Sequence, residues 1–352
     1  MRGSLNESYI NEMRLTVSQL ASVRQIGKYQ GMQELFSNQK PEVLRRLKQS
    51  AMIESVESSN RIEGIVAPSD AIHGLLVNNK APQNRNESEI AGYRKALDLL
   101  HESAVNMPVN SNVILQLHNT IYTYLPNEGG KWKPVDNSII ERNELDGSVT
   151  TRFQPVRAVE TPSAMSDLTF GYSDLLRNKH LEPLLLIPLF ILDFLCIHPF
   201  GDGNGRTARL LTLMLLYQNS YEVGRYVSLE RIIEDSKESY YETLHTSSQG
   251  WHEGTHNAMP WIEYFWGVLI AAHKEYVQRV SDVEPGRSNS KRERVLSTID
   301  ELPQLFSIKD VLIANPDISR EMIKVVIKEL KDRGRLTSEG KGRGAKLHKQ
   351  PL

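Results

Sequence analysis

The hydrophobic positions of the chain recur mostly at intervals of three and four residues, which is typical of helices with one buried face. Strand-like alternation is scarce, and its main exception lies near residues 138–159, where Asp146 and Gly147 separate two short β-prone segments. An Asp-Gly pair in that position predicts a hairpin or an ordered loop. We therefore expect a mainly α-helical fold with one β-hairpin. The clearest helical spacings are Tyr93/Ala96/Leu97/Leu100, Ile114/Leu117/Ile121 and Leu210/Leu211/Met214/Leu215.

A polar segment rich in Pro, Gly and Ser at residues 281–290 predicts a linker between two folded parts. The 62 residues after it carry 14 Lys and Arg against 9 Asp and Glu. Their pattern predicts a helix near Lys291, a second helix after the N-cap Ser307, and a third after Ser319 that stops at Gly334. A basic, glycine-rich stretch over residues 337–347 follows.

Three helices and a basic glycine-rich hairpin resemble a winged-helix domain. That resemblance implies nucleic-acid binding with the third helix in the major groove. A winged helix that serves protein contacts or dimerisation is the alternative, because the net charge of this region is only +5.

The composition of the 352 residues is that of an ordinary globular protein, with 39% hydrophobic and 24% charged residues, and excludes a disordered or collagen-like chain. The net charge of −1 argues against a chain that binds polyanions along its whole surface. Cys196 is the only cysteine, which fits a reducing compartment. No secretory signal is visible, and residues 184–197 are too short to span a membrane and are broken by Pro188 and Asp193. We expect a cytoplasmic protein.

The segment between His198 and Arg209 carries the candidate chemistry. Three of the five residues at 201–205 are glycine, and a helix predicted from about Thr207 follows at once. Exposed backbone N–H groups and a helix N-terminus together bind anions. Arg206 and Arg209 are three residues apart on one helix face, and arginine donates paired hydrogen bonds to phosphate. The segment therefore predicts a site for several phosphates.

Asp202 would repel phosphate unless Mg²⁺ lay between them, and Mg²⁺ commonly binds one or two carboxylates together with phosphate oxygens. His198 is placed to accept a proton from an attacking hydroxyl. These groups predict nucleotidyl or phosphoryl transfer to a hydroxyl. An EF-hand is excluded because Leu213 stands where its glutamate should be, and no P-loop sequence occurs.

This segment reads His-Pro-Phe-Gly-Asp-Gly-Asn-Gly-Arg-Thr-Ala-Arg and resembles the Fic family signature, His-x-Phe-x-Asp/Glu-Gly-Asn-Gly-Arg-x-x-Arg, at every specified position. The resemblance extends over roughly residues 50–270. It implies a helical Fic domain that transfers AMP from Mg²⁺-ATP to a Ser, Thr or Tyr hydroxyl of a target protein. On this resemblance His198 is the general base, Asp202 holds Mg²⁺, and Arg209 lies nearest the γ-phosphate. The nucleotide-binding residues would be Gly203, Asn204, Gly205, Arg206, Thr207, Ala208 and Arg209.

Three further segments resemble Fic elements. Ser59 and Glu63, followed by Gly64 as a helix C-cap, resemble the inhibitory motif Ser/Thr-x-x-x-Glu-Gly/Asn, whose glutamate would pair with Arg209. The alternative is a solvated helix end. The flap over the site is expected in the segment after Gly130, where related proteins usually have Arg in place of Lys133. Its expected residues are Gly130, Lys131, Trp132 and Lys133, of which Trp132 could instead belong to the core.

Tyr240 and Tyr241 resemble residues of the family's purine pocket, although buried tyrosines are more often part of a core. His252 and His256 match His-Glu-x-x-His, but the surrounding glycines predict a loop and argue against a zinc site.

We expect an N-terminal helical region at 1–105 with an inhibitory helix near 50–64, a Fic domain at 106–280, a linker at 281–290 and a winged helix at 291–352. The alternatives are a DNA-binding regulator whose Fic domain senses nucleotide, and a Fic enzyme that transfers another phosphate-containing group. Self-modification and a homodimer are both compatible with the sequence.

Overall fold

The structure is a computed structural model that describes residues 3–39, 41–76, 78, 80–126, 128–142, 149–178, 181–281, 292, 295–296, 298–299, 302, 304–315, 318–339 and 346–349. It divides into two compact units, Met1–Gln278 and Arg279–Leu352. The predicted linker at residues 281–290 lies outside the described residues, apart from Ser281.

The first unit is helical with one hairpin, as the hydrophobic pattern predicts. In the part of the chain that the structure describes, six α-helices precede the hairpin: α1 (Glu7–Glu12), α2 (Val17–Gln39), α3 (Pro41–Ile62), α4 (Ser69–Leu76), α5 (Arg85–Ser103) and α6 (Ser111–Ile121). Six follow it: α7 (Thr161–Arg177), α8 (Pro183–Ile197), α9 (Asn204–Gln218), α10 (Leu229–Asp235), α11 (Lys237–Ser248) and α12 (Met259–Ser281).

Helices α8 and α9 form the centre of this unit. Nearly every residue of α8 is buried, including Phe190, Leu192 and Phe194, so the helix is surrounded on all sides. This burial explains why its sequence is apolar throughout and shows no amphipathic stripe. The six residues that join α8 to α9, residues 198–203, belong to the segment that the sequence predicts to bind phosphates.

Asp193 is the buried charged residue of α8. Its carboxylate accepts hydrogen bonds from the backbone N–H groups of Ser4 and Leu5, and from Trp251 Nε1 at 2.6 Å. The beginning of the chain is thereby fixed against the central helix.

Strands β1 (Ile139–Arg142) and β2 (Val149–Phe153) pair antiparallel, with Ile140 opposite Thr151 and an irregularity between Ile139 and Ile140. The predicted hairpin is therefore confirmed. Its Asp146-Gly147 turn lies outside the described residues.

The second unit contains β3 (Leu305–Ser307), α13 (Ile308–Ala314), α14 (Arg320–Asp332), β4 (Leu336–Glu339) and β5 (Lys346–Lys349), with sheet order β3-β5-β4. The predicted N-caps are confirmed: Ser307 forms a capping box with Asp310, and Ser319 caps α14. Gly334 follows α14 with a positive φ of 72°. The glycine-rich residues 340–345 lie outside the described residues, and the winged-helix assignment stays a prediction.

Within the described part of the chain, no helix is both long and apolar enough to cross a membrane.

Candidate active site

His198 is the C-cap of helix α8 and the first residue of the segment that the sequence predicts to bind phosphates. Its backbone is left-handed, with φ 50° and ψ 61°. Nδ1 lies 3.3 Å from the Leu195 carbonyl oxygen, which can only accept a hydrogen bond, so Nδ1 carries the proton and Nε2 keeps a free lone pair. Burial is the largest influence on this imidazole and lowers its pKa to about 4. At neutral pH His198 is therefore an uncharged base.

The loop after His198 is held by its own asparagine. Asn204 Oδ1 accepts the Phe200 N–H at 2.9 Å, and Asn204 Nδ2 donates to the Phe200 carbonyl at 2.8 Å. Both polar groups of this buried side chain are thus used inside the loop.

Helix α9 begins at Asn204, three residues before the start at Thr207 that the sequence predicted. The reason is Gly203, whose positive φ of 77° lets it serve as the N-cap directly after the turn. The first helical turn leaves the N–H groups of Asn204, Gly205 and Arg206 without an acceptor inside the helix. The earlier start therefore places the anion-binding end of the helix within the glycine-rich loop itself.

Arg206 is fully buried and turned toward the interior. Its Nη1 lies 2.6 Å from Glu89 Oε2 of α5, and its Nη2 donates to the Tyr122 hydroxyl at 3.0 Å. The structure gives this guanidinium a buried carboxylate partner, Glu89, that the sequence did not indicate, and its contact with the polyphosphate stays a prediction. Arg206 anchors the first turn of α9 to α5.

Asp202 is the exposed acid of the loop, with 69% of its side chain accessible. Burial of the remainder opposes ionisation, but Arg206, the Tyr122 hydroxyl and the Gly203 N–H outweigh it and hold the pKa of Asp202 below its usual value. The Tyr122 hydroxyl donates to Oδ2 at 2.9 Å.

A hard, ionised and accessible oxygen donor fits Mg²⁺. No group of three or more metal-ligating side chains occurs in the described ranges. A metal at Asp202 would accordingly need the oxygens of a bound nucleotide and water to complete its ligand shell.

Arg209, in the second turn of α9, is bound by the end of helix α3. Its Nη2 donates to Glu63 Oε1 at 2.8 Å and to the Ser59 carbonyl at 2.9 Å, and its Nε donates to Ser59 Oγ at 2.8 Å. Burial by itself would lower the pKa of Arg209, and Glu63 reverses this and raises it. The two predicted inhibitory residues and Arg209 thus meet in one cluster.

The Glu63 carboxylate also lies against the first turn of α9. A Cβ atom on Gly205 would stand 2.2 Å from Glu63 Oε1, so only glycine permits this approach. Gly64 has φ 78° and the Ile65 N–H donates to the Asn60 carbonyl at 2.9 Å, which confirms the predicted C-cap of α3.

A cavity of about 150 Å³ opens beside these residues. His198, Gly205 and Glu63 line one side of it, and Tyr240 and Tyr241 of α11 line another. The two tyrosine rings meet edge to face at 5.2 Å. The structure therefore brings the candidate base, the helix N-terminus and both predicted purine-pocket residues to one cavity.

Residues 108–216 match the sequence model of the Fic/DOC family. The chain contains a Fic domain. Curated relatives named protein adenylyltransferase Fic, from Drosophila willistoni and Drosophila melanogaster, are 26% identical over 215 residues. That match covers 59% of this chain and 39% of each relative, so the chain spans about two fifths of their length.

Solved structures of Fic proteins share the fold. A Fic family protein from Desulfovibrio desulfuricans G20 superposes with a TM-score of 0.62 at 20% identity, over 97% of this chain and 98% of the other. A Fic-domain signaling protein from Bacteroides thetaiotaomicron VPI-5482 gives 0.60 at 23% identity, over 75% and 99%. These likenesses show the helical Fic fold.

The expected flap residues of the Fic domain lie ahead of the hairpin and form none of its strands. Lys131 is exposed, Trp132 is half-buried with its ring 5.3 Å from that of Phe200, and Lys133 is buried. Gly130 donates its N–H to His118 Nδ1 at 2.9 Å. This stretch contacts the signature loop, and the strands that border the cavity begin only at Ile139.

From the hairpin, Arg152 reaches across to α11. Its guanidinium donates to the Tyr241 carbonyl and lies 5.9 Å from the centre of the Tyr241 ring. Ile139, Arg152 and Phe153 line the cavity. The hairpin therefore forms part of the cavity wall.

Sequence reasoning assigned no site role to Glu89, His118 or Tyr122. The ring of His118 stacks on that of Phe200, with 3.6 Å between the ring centres. Its Nε2 lies 3.0 Å from the Asp202 carbonyl oxygen, so His118 contacts the signature loop at two residues. The sequence could have indicated a role for Glu89, because it lies among the buried positions of an amphipathic helix. A buried acid needs a partner of opposite charge or a hydrogen-bond donor.

The His-Glu-x-x-His segment lies in turns outside any helix, as predicted. His252 stacks on Phe153 and its Nε2 lies 2.7 Å from the Gln154 carbonyl oxygen, whereas the Nε2 of His256 is 2.8 Å from Ser4 Oγ. The two histidines thus contact different parts of the chain, and His252 supports the hairpin.

Proposed function

We propose that the chain is a protein adenylyltransferase that moves AMP from Mg²⁺-ATP to a hydroxyl of a target protein. The observation that carries this proposal is the uncharged His198, with Nε2 free, beside the unpaired N–H groups that open α9. The Fic domain and the name of its 26% identical relatives support the same reaction class.

In the proposed reaction, His198 Nε2 accepts the proton of the target hydroxyl. The hydroxyl oxygen forms a bond to the α-phosphorus while the bond from this phosphorus to the bridging oxygen of the β-phosphate breaks. Pyrophosphate leaves, and the target keeps the AMP group. The N–H groups of Gly205 and Arg206 stabilise negative charge on the phosphates without rearrangement, because they are already oriented by the helix.

Asp202 would hold Mg²⁺ beside these phosphates. When bound, the ion supplies positive charge that offsets the charge of the phosphates. The nearby Arg206 and the hydrogen bonds from the Tyr122 hydroxyl and the Gly203 N–H favour the ionised carboxylate of Asp202 that this role needs.

We further propose that Glu63 inhibits the reaction. Its carboxylate occupies Arg209 and lies against Gly205, so a triphosphate would meet both a like charge and an engaged guanidinium. ATP would then bind without the contact that orients its γ-phosphate.

The test incubates wild type, Glu63→Gly and Glu63→Gly/His198→Ala with Mg²⁺ and ATP labelled on the α-phosphate, with and without cell lysate. We expect protein-bound label only with Glu63→Gly, on a lysate protein or on the enzyme itself. A parallel reaction with label on the γ-phosphate separates AMP transfer from phosphate transfer. If Glu63→Gly labels nothing with either donor, the proposal is wrong.

A second function, binding of duplex DNA by the C-terminal unit, is favoured by the charges on α14. Successive residues of a helix are rotated by about 100° around its axis. Four cationic side chains of α14 therefore lie within a sector of roughly 80° on one face of the helix. Ile323, Val326 and Ile327 face the core on the adjacent side. The sector consists of Arg320, Lys324, Lys328 and Lys331, the first three exposed and the last half-buried.

Fluorescence anisotropy of the full chain with a labelled DNA duplex tests this function. Lys324→Ala/Lys328→Ala should weaken binding and reduce the slope of log K against log salt by about 2, because each lost phosphate contact removes about 0.9. The matched control, Lys28→Ala/Lys274→Ala, removes two exposed lysines from α2 and α12. Equal effects of the two double variants would contradict a specific surface.

A further inference from the structure

His198 has a left-handed backbone conformation, which histidine does not favour. A left-handed backbone is common for glycine and uncommon for other residues. His198 is one of two non-glycine residues with positive φ among the described residues. Its imidazole points into the cavity only while this turn is maintained, so contacts on its flanking peptide groups matter for the position of Nε2.

Lys133 binds the peptide groups on both sides of His198. Its backbone N–H donates to the Pro199 carbonyl at 2.8 Å, and its Nζ donates to the Ile197 carbonyl at 3.1 Å. The residue is only 3% exposed.

The contact is extended by Asn137, four residues further on. Lys133 Nζ donates to Asn137 Oδ1 at 2.8 Å, and Asn137 Nδ2 donates to the Phe200 carbonyl at 3.2 Å. Three carbonyls at positions 197, 199 and 200 thus accept hydrogen bonds from this pair of residues. The turn that carries His198 is fixed from outside the signature itself.

The positive charge of Lys133 lies at the C-terminus of α8, where it is stabilising. Ile197 is the last residue of α8, and a cation at a helix C-terminus interacts favourably with the partial negative charge of its carbonyls. The same cation lies near His198 and opposes protonation of the imidazole. Glu63, Asp202 and the Leu195 carbonyl act on His198 in the opposite direction, and burial exceeds each of these influences.

We propose that Lys133 is a positioning residue that fixes the left-handed turn at His198 and keeps its imidazole ready to accept a proton. This inference rests on the proposed function, in which His198 is the base. It gives a role to a residue at which this chain departs from the arginine usual in related proteins. Lys133 precedes strand β1 by six residues, so it also ties the base of the hairpin to the catalytic turn.

The test uses the full chain with Glu63→Gly as background and compares Lys133→Met, Lys133→Arg and the control Lys95→Met, which removes an exposed lysine of α5. With Lys133→Met we expect kcat for AMP transfer to fall by at least about tenfold, because small misplacements of a reacting group are costly. KM for ATP should change less than about twofold. Lys133→Arg should restore most of the rate, and Lys95→Met should have no effect.

A second measurement does not depend on activity. Titration of the His198 ring proton by NMR, without nucleotide or metal, should show a higher pKa in Lys133→Met than in the parent and Lys133→Arg. A merely structural role would lower Tm without this change. If the titration and kcat are both unmoved in a folded Lys133→Met protein, the inference is wrong. If Glu63→Gly itself transfers nothing, the proposed function fails. The titration then tests by itself whether Lys133 positions His198.

Discussion

Glu63 Oε1 lies 2.8 Å from Arg209 Nη2, although 146 residues separate them along the chain. The same guanidinium is held by the hydroxyl and the carbonyl of Ser59, one turn earlier in α3. Arg209 is buried and Glu63 is half-exposed, so the arginine is fixed by the fold and the glutamate is the partner that can leave. Displacement of Glu63 would require a change only at the end of α3.

Ser59→Ala should relieve inhibition in part. It removes the acceptor for Arg209 Nε, so Arg209 becomes freer to move, while Glu63 still occupies Nη2. We expect AMP transfer several-fold above wild type and below Glu63→Gly, measured as incorporated α-label. Ser50→Ala, at an exposed position of the same helix, serves as the control and should leave the rate at the wild-type level.

The end of α3 is also attached to α10 and α11. Arg61 donates to both oxygens of Glu234 at 2.7 and 2.9 Å, and Lys237 Nζ donates to the Ile62 carbonyl. Because the Arg61–Glu234 pair is partly exposed, we expect a coupling energy below about 1 kcal/mol in a double-mutant cycle by urea unfolding. Arg61→Ala should raise basal AMP transfer less than Ser59→Ala does. An increase equal to that of Glu63→Gly would show that this pair, and not Glu63, limits the reaction.

Glu89→Ala should destabilise the protein strongly. It leaves the buried guanidinium of Arg206 without its carboxylate, which typically costs about 3–5 kcal/mol in free energy of unfolding. The comparison is Glu128→Ala, which removes a carboxylate from an exposed pair with Arg85 at 2.8 Å and should cost less than about 1 kcal/mol. Urea unfolding measures both, and similar losses would contradict a structural role for the Arg206–Glu89 pair.

Stability should fall as the pH is lowered from about 6.5 toward 4. Burial lowers the pKa of five histidines to about 4 in the folded protein, whereas unfolded histidine titrates near 6.5. The unfolded chain therefore takes up protons that the folded chain does not, and the contribution of the neutral histidines is lost through this range. They are His101, His118, His198, His256 and His273.

His273 offers the sharpest check of this dependence. It is fully buried against Tyr29, and neither ring nitrogen has a hydrogen-bond partner among the described residues. His273→Phe should raise Tm more at pH 5 than at pH 7, because it removes one group that must be kept neutral. An equal change in Tm at the two pH values would contradict the shifted pKa.

The rate of AMP transfer should depend less on pH between 5.5 and 7 than it would if the base were an exposed histidine. With a pKa of about 4, His198 stays uncharged and able to accept a proton at pH 5, where an unperturbed imidazole would be mostly protonated. We expect kcat of Glu63→Gly at pH 5.5 to stay within about twofold of its value at pH 7, measured where the protein remains folded. A tenfold decrease would indicate that His198 has an ordinary pKa.

The sequence by itself determined the features that depend on neighbours along the chain. The helical spacing of apolar residues, the caps Gly64, Ser307 and Ser319, and the hairpin all appear as predicted. The signature could be recognised for the same reason, since its glycines and the helix that follows them are consecutive residues.

Only the tertiary structure decided which distant groups these residues meet. The sequence indicated no partner within the protein for Arg206, and the structure pairs it with Glu89 of another helix. The sequence did not indicate that Lys133, an expected flap residue, binds the carbonyls of Ile197 and Pro199 on either side of His198. Sequence patterns report local conformation and burial, whereas the pairing of buried charges is set by how helices pack, because each buried polar group must find its partner there.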